Sequence, residues 1–328
     1  MALHAYYTNG DPGQLDLTTA PSLPSAPCEL LYLNEGGANV VFRIRSPNEA
    51  ILPSGLQGKL LRVRKDLTHV QCAQQQLSAF KTNFEHLFPA ENLIHHELVS
   101  LGSGLVAALN DTLKSAARSS RRRDDALPLD EAYGLLVTDM TPAANETFLQ
   151  LKPKWLAQSP GAPKAATRCR TCALRAKRSA QETMSPTDRQ AVCPLALVSH
   201  DYGHRVAAAK KLTSDPKLQQ FLIRDALPLF RMLRDTQQAL DVHGALRAAD
   251  PQSERDLCKA MTLRDCTLFV KVLSDGNIVA RFGDLDLKLA TQLWKWQDME
   301  VGLIDRGWYT ATGRGNEDEK VETCILSR

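Results

Sequence analysis

A mixed α+β fold in two parts is what this sequence predicts, and three observations carry it. Two strand-like runs flank a glycine-bearing turn near the start, a third follows on the next segment, and the second half supplies its own helices and hairpin. At 328 residues the chain is long enough for one large domain or two lobes. We divide it at residue 140, into a smaller N-lobe (1–140) carrying an antiparallel sheet and a larger C-lobe (141–328).

Taken in order, Met1–Ala26 is rich in Pro, Gly, Thr and Ser and reads as an irregular arm. Leu30–Leu33 and Ala38–Arg45 read as strands joined by Asn34-Glu35-Gly36-Gly37, and Lys59–Lys65 as a third strand after the Pro- and Gly-containing connection Ser46–Gly58. Val70–Leu87 has helical spacing, with Val70, Ala73, Leu77, Phe80, Phe84 and Leu87 on one face. Gly134–Met140 is a short apolar run suited to a buried strand, and Phe148–Leu156 opens the second half as another. Asp215-Pro216 starts a helix, an Asp cap with Pro in the first turn, and Pro228 should kink or divide it. Thr267–Leu273, the turn Ser274-Asp275-Gly276-Asn277 and Ile278–Phe282 compose a hairpin, and Leu289–Ile304 is an amphipathic closing helix.

Composition narrows the function classes. The hydrophobic fraction is 43% and the charged fraction 23%, ordinary for a globular chain. No run approaches the ~20 apolar residues of a membrane span and Met1–Gly10 lacks a signal-peptide core, so a soluble, intracellular protein without a membrane partner is expected. A net charge of +3 argues against wholesale coating of nucleic acid, although it leaves room for a local basic pocket. Arg118–Asp125 (RSSRRRDD) reads as a solvated loop, or else as a nuclear-import or polyanion-steering run; no aromatic stacking stripe accompanies it. G-x-S-x-G and H-E-x-x-H are missing, and GLQGKL (Gly55–Leu60) is too short for a phosphate loop and has Leu60 where Ser or Thr would hold magnesium.

Four clusters remain that bear chemistry. EGGANVV (Glu35–Val41) sets two glycines between strands, where backbone N–H groups can approach a phosphate, or where an ordinary hairpin simply turns. In LRVRK (Leu61–Lys65), alternation puts Arg62 and Arg64 on one face and Leu61, Val63 and Lys65 on the other; Arg62 is placed either to hold nucleotide phosphates or to line a solvated edge. QLKPKW (Gln150–Trp155) projects Lys152 and Lys154 from a segment stiffened by Pro153, a geometry that suits clamping a multiply charged anion. FGDLDLKL (Phe282–Leu289) sets Asp284, Asp286 and Lys288 on one side after an apolar strand, a hard-oxygen pair for Mg²⁺ beside an ammonium for phosphate. Upstream, Asp265 in LRDCT stands at a strand entry from which a carboxylate can take a hydroxyl proton. Separately, Cys169, Cys172 and Cys193 offer three thiolates that His200 or His204 could complete into a structural Zn²⁺ site; the alternative is free thiols in a reducing compartment.

In that order, EGGANVV, LRVRK, LKPKW, CRTC with a later CPL, RDCT and DLDLK make the chain resemble the inositol-pentakisphosphate 2-kinase family, most closely its shorter fungal members. The resemblance spans Glu35 to Lys288 and implies a two-lobed, protein-kinase-like inositol-phosphate-kinase fold. It implies transfer of the γ-phosphoryl group of ATP, with Mg²⁺, to the 2-hydroxyl of inositol 1,3,4,5,6-pentakisphosphate, giving inositol hexakisphosphate (phytate), in the nucleus and/or cytoplasm; a monomer is expected. Position by position it sets Gly36, Gly37, Ala38 and Asn39 over the ATP phosphates, Arg62 beneath them and Asp139 near the adenine. It gives Lys152 to catalysis as well as to substrate, Lys154, Arg170, Arg178 and Lys288 to the inositol phosphates, Asp265 to the base, and Asp284 with Asp286 to magnesium. The chain departs from the family pattern at Gln150, where the signature is acidic, and at Leu174, Ala196, Gln292 and Trp296. Two alternatives stay open: an inositide kinase of different acceptor specificity and, motivated by Gln150, a non-catalytic inositol-phosphate-binding protein.

Overall fold

The computed structural model describes residues 2–19, 24–47, 50–185, 191–310 and 324–327; within the expected arm and the Ser46–Gly58 connection, residues 20–23 and 48–49 lie outside these. The chain forms two compact units, one of Met1–Glu85 with Ile94–Met140 and one of His86–Leu93 with Thr141–Arg328. Both sheets and helices are present, as an α+β reading requires.

In the first unit, β1 (Leu3–Thr8), β2 (Gly13–Asp16), β3 (Ser25–Glu35), β4 (Asn39–Arg45), β5 (Lys59–Arg64), β6 (His96–Leu101) and β7 (Tyr133–Thr138) close a barrel in the order β1-β2-β6-β7-β5-β4-β3. This corrects two expectations. The arm Met1–Ala26 is not irregular: it supplies β1, β2 and the start of β3, with Ala5, Tyr7 and Leu15 in the core. The expected antiparallel sheet is a closed barrel, with β2 running parallel to β6. Closure removes the exposed edges an open sheet would leave. The helices α1 (Ala73–Asn83) and α2 (Leu105–Ser115) belong to this unit, α2 burying Leu105, Val106, Leu109 and Leu113.

A bulge in β3 decides the chemistry of the glycine turn. Up to Tyr32 the even-numbered residues Cys28 and Leu30 face inward, but the register with β4 shifts between Tyr32 and Asn34. The extra residue reverses the alternation, so Glu35 points in, buried beside Lys65 and Arg118.

The second unit holds a three-stranded antiparallel sheet, order β10-β9-β8, built from β8 (Thr147–Leu151), β9 (Thr267–Val272) and β10 (Ile278–Gly283). The β9–β10 hairpin turns at Gly276, whose φ of +88° favours glycine. The helices of this unit are α3 (Arg170–Ala180), α4 (Pro194–Leu197), α5 (Tyr202–Leu212), α6 (Pro216–Gln220), α7 (Leu227–Leu240), α8 (Pro251–Leu263) and α9 (Leu293–Asp305). Asp215 caps α6, its carboxylate accepting from Leu218 N at 2.9 Å. The long helix expected after it is divided: a π-type turn at Phe221–Asp225 precedes α7, with Pro228 in the first turn of α7, where a missing N–H costs nothing.

Candidate active site

The sheet of the second unit explains why distant motifs meet. Leu151 ends β8 opposite Leu268, and Gly283 ends β10 opposite Thr267, the first residue of β9. The residues just outside these ends, Lys152, Asp265 and Asp284, therefore emerge at one end of the sheet. Lys288 is brought in by its own backbone N–H, which donates to the buried Thr262 Oγ1 at 3.0 Å.

Asp265 is the centre of the cluster. Its Oδ1 lies 2.9 Å from Lys154 Nζ and 3.4 Å from Lys152 Nζ, and its Oδ2 lies 3.0 Å from Lys288 Nζ. Lys152 also donates to the Asp265 carbonyl at 2.8 Å and stands 3.9 Å from Asp284 Oδ2. Burial alone would raise the Asp265 pKa, but the charges of Lys154, Lys288 and Lys152 outweigh it and hold the carboxyl well below the usual carboxylate range. The cluster stays open to solvent, with 43% of the Asp265 side chain and 52% of the Asp284 side chain exposed. Two of its members, Lys154 (φ 59°) and Asp284 (φ 55°), adopt left-handed backbone conformations that non-glycine residues avoid. Such strain persists only where the surroundings hold it.

Asp284 suits a hard cation: its carboxylate accepts from Thr267 Oγ1, which orients it, and remains accessible, so it can share magnesium with substrate phosphates. Asp286 is half-buried, and its backbone carbonyl accepts from Thr262 Oγ1 at 3.4 Å.

The other residues singled out from the sequence divide between the units. In the first unit, the side chains of Arg62 and Asn39 meet through Gln76 of α1, which accepts from Arg62 at 3.0 Å and donates to Asn39 at 3.4 Å. Gly36 N donates to Asn39 O at 2.8 Å, Lys65 N to Ala38 O at 2.8 Å and Asp139 N to Gly58 O at 2.8 Å. Neither Gly36 nor Gly37 has a positive φ, and among the described residues a methyl group at Gly37 would meet no atom within 4 Å. Neither the turn's conformation nor its packing demands these glycines.

In the second unit, Arg170 is 6% exposed; its Nε donates to Glu300 at 2.9 Å and its guanidinium lies over the Trp155 ring at 4.2 Å. Arg178 is half-buried on α3. The expected solvated run Arg118–Asp125 is partly folded inward: Arg118 is buried, bidentate to Glu35 at 2.9 and 2.8 Å, while Arg121 and Arg123 are exposed. Sequence reasoning missed Gln237, whose signal was a polar residue four positions beyond Leu233 on the apolar face of α7.

The cysteines gather more fully than expected. Cys169, Cys172, Cys193 and Cys324 are all buried, and their sulfurs lie within 4.8 Å of one another. The fourth member is Cys324, correcting His200 and His204. His200 is exposed and His204 Nδ1 is 2.9 Å from Ser199 Oγ. Sulfur separations of 3.7 and 3.9 Å exclude disulfides and match the ~3.8 Å expected of a tetrahedral site with ~2.3 Å metal–sulfur bonds. Arg175 donates to Cys172 Sγ at 2.9 Å and Cys169 N to Cys324 Sγ at 3.2 Å, so two of the four sulfurs also accept hydrogen bonds.

Comparison with known proteins adds the remaining evidence. The family model described as inositol-pentakisphosphate 2-kinase matches residues 32–301. A protein of Yarrowia lipolytica named inositol-pentakisphosphate 2-kinase is 28% identical over 316 residues, covering 88% of this chain and 96% of that protein. The matched span runs through both units and contains every side chain of the Asp265 cluster, and on that ground the chain belongs to the inositol-pentakisphosphate 2-kinase family.

Proposed function

We propose that this protein transfers the γ-phosphoryl group of ATP to the 2-hydroxyl of inositol 1,3,4,5,6-pentakisphosphate, giving inositol hexakisphosphate. The observation that carries the reading is the convergence of three ammonium groups, from Lys152, Lys154 and Lys288, on the single carboxylate of Asp265 beside Asp284. The first unit is then the smaller lobe of a kinase-like fold, with Gly36, Gly37, Ala38 and Asn39 toward the ATP phosphates, Arg62 with them and Asp139 toward the adenine. The glycines support this, since a ligand's close approach gives them the purpose that packing does not. The chain acts as a monomer of the nucleus and/or cytoplasm.

The chemistry follows from the charges. An inositol pentakisphosphate needs concentrated cations, and phosphate oxygens compete with Asp265 for the three lysines. Once they are drawn to phosphates, the Asp265 carboxylate loses the charges that depress its pKa and becomes a stronger base. It then orients the 2-hydroxyl and takes its proton as the phosphoryl group transfers. Acceptor choice follows: a less phosphorylated inositol leaves a lysine on Asp265 and the base weak. Magnesium held by Asp284, with Asp286 in support, would neutralise phosphate charge during transfer. Incubation with ATP, Mg²⁺ and purified pentakisphosphate should yield a product whose new ester NMR assigns to position 2. An ester elsewhere, or binding without turnover, overturns the proposal.

The four cysteines fit structural zinc, a closed all-sulfur set without an open position for chemistry. We expect about one zinc per chain by elemental analysis. Cys324→Ser should lose the metal and lower the melting temperature by on the order of 5–10 °C, because metal-binding free energy is folding free energy here. A metal-free protein whose melting the substitution leaves unchanged rules the site out.

A further inference from the structure

Behind the reactive side chains, the two segments that carry them are joined by one buried amide. Gln237 of α7 is 1% exposed. Its Oε1 accepts from Leu156 N at 3.1 Å, and its Nε2 donates to Lys154 O at 2.9 Å and to Leu263 O at 3.3 Å. Lys154 carries one of the ammonium groups on Asp265, and Leu263 ends α8 two residues before Asp265. A second joint runs beside the first. The Arg264 guanidinium lies over the Trp155 ring at 3.5 Å and is held by Asp241 at 2.6 Å. Trp155 and Arg264 are the chain neighbours of Lys154 and Asp265, so both joints link the same two segments.

Packing alone does not call for a glutamine. Leu229 and Leu233 continue the same buried face of α7, and a leucine would fill a similar volume. What the amide adds is direction: among the described residues its bonds go to backbone groups of the two segments. One of those groups is the carbonyl of Lys154, the residue held at φ 59°. A strained residue keeps its conformation only while its neighbours fix it, and Gln237 and Trp155 are those neighbours.

We propose that Gln237 is a positioning residue for phosphoryl transfer, setting the Lys154–Asp265 geometry through its bonds to Lys154, Leu156 and Leu263. Arg170, stacked on the same indole and paired with Glu300, supports this joint from behind. The inference rests on reading Asp265 as the base. A displacement of about 1 Å costs on the order of 10² in rate when reacting groups are prealigned, so the joint should be visible in kcat.

Gln237→Leu keeps the volume and removes all three bonds. Steady-state kinetics with ATP and inositol pentakisphosphate should show kcat lowered ~10- to 100-fold, with either KM changed by no more than about threefold. Trp155→Phe leaves the Arg264–Asp241 pair in place and tests the parallel joint should Gln237→Leu fail to fold; its kcat should fall several-fold with the same KM pattern. A folded variant with wild-type kcat, or with a loss lying wholly in KM, overturns the inference. Asp265→Asn is the control: if it loses turnover while Gln237→Leu keeps it, the role of Gln237 alone fails, and if both keep turnover the reading of Asp265 fails with it.

Discussion

Asp265→Asn should lower kcat by on the order of 10²–10⁴-fold while leaving the affinity for the inositide unchanged or higher. The two halves of this result have separate causes. Asparagine is isosteric but accepts no proton, so the 2-hydroxyl loses its base. It also withdraws the negative charge that holds Lys152, Lys154 and Lys288, leaving three ammonium groups without the partner that phosphate must displace. A binding-only cluster would show the second effect without the first, and a purely structural ion pair would show neither. Titration calorimetry with inositol pentakisphosphate, set against turnover under saturating ATP, separates these cases. Wild-type kcat in the folded variant, or affinity lowered tenfold, contradicts the assignment.

How much of this was legible in the sequence depends on how local each signal is. The β9–β10 hairpin was readable because its turn residues sit between its own strands, and Asp215-Pro216 announced a helix through a cap and a proline in adjacent positions. β2 was not, because four residues, Gly13–Asp16, find part of their pairing far along the chain in β6. Cys324 was missed for the same reason: metal-site spacing is recognised over short distances, and the segment that returns it to Cys193 spans 131 positions. For the candidate site, spacing nominated Lys152, Lys154, Asp284 and Lys288 one motif at a time. Their convergence on Asp265 comes from sheet register, which no single motif contains. Arg170 shows the opposite limit: an arginine's type says cation, and only its surroundings, Glu300 and Trp155, say that the cation is buried.

The bulge at Tyr32/Asn34 leads to the second large effect. Simple alternation from Cys28 and Leu30 would leave Glu35 outside, yet it is buried with Lys65 (0% exposed) at 2.6 Å and the Arg118 side chain (2% exposed) at 2.8 Å. Burial raises the Glu35 pKa, but hydrogen bonds from Arg118 and Lys65, with their charges, prevail and hold it at about 2. Against its ordinary 4.5, that depression corresponds to about 3 kcal/mol. Glu35→Gln removes the shared carboxylate and leaves two buried cations. Lys65 keeps Asp125 at 2.7 Å, and Arg118 keeps the carbonyls of Arg123 and Asp125. The expected cost at pH 7 is ~3–5 kcal/mol, on the order of 10 °C in melting temperature. The sign with pH follows from the depressed pKa. The stabilisation is complete above about pH 4.5 and is lost as pH falls toward 2, so the gap between wild type and variant should close over that window. Because Glu35 leads directly into Gly36, and its carbonyl accepts from Arg122, the same substitution should also raise KM for ATP more than KM for the inositide. Equal melting at pH 7, or a gap that widens in acid, would show that Glu35 is not the inward anchor of the glycine turn.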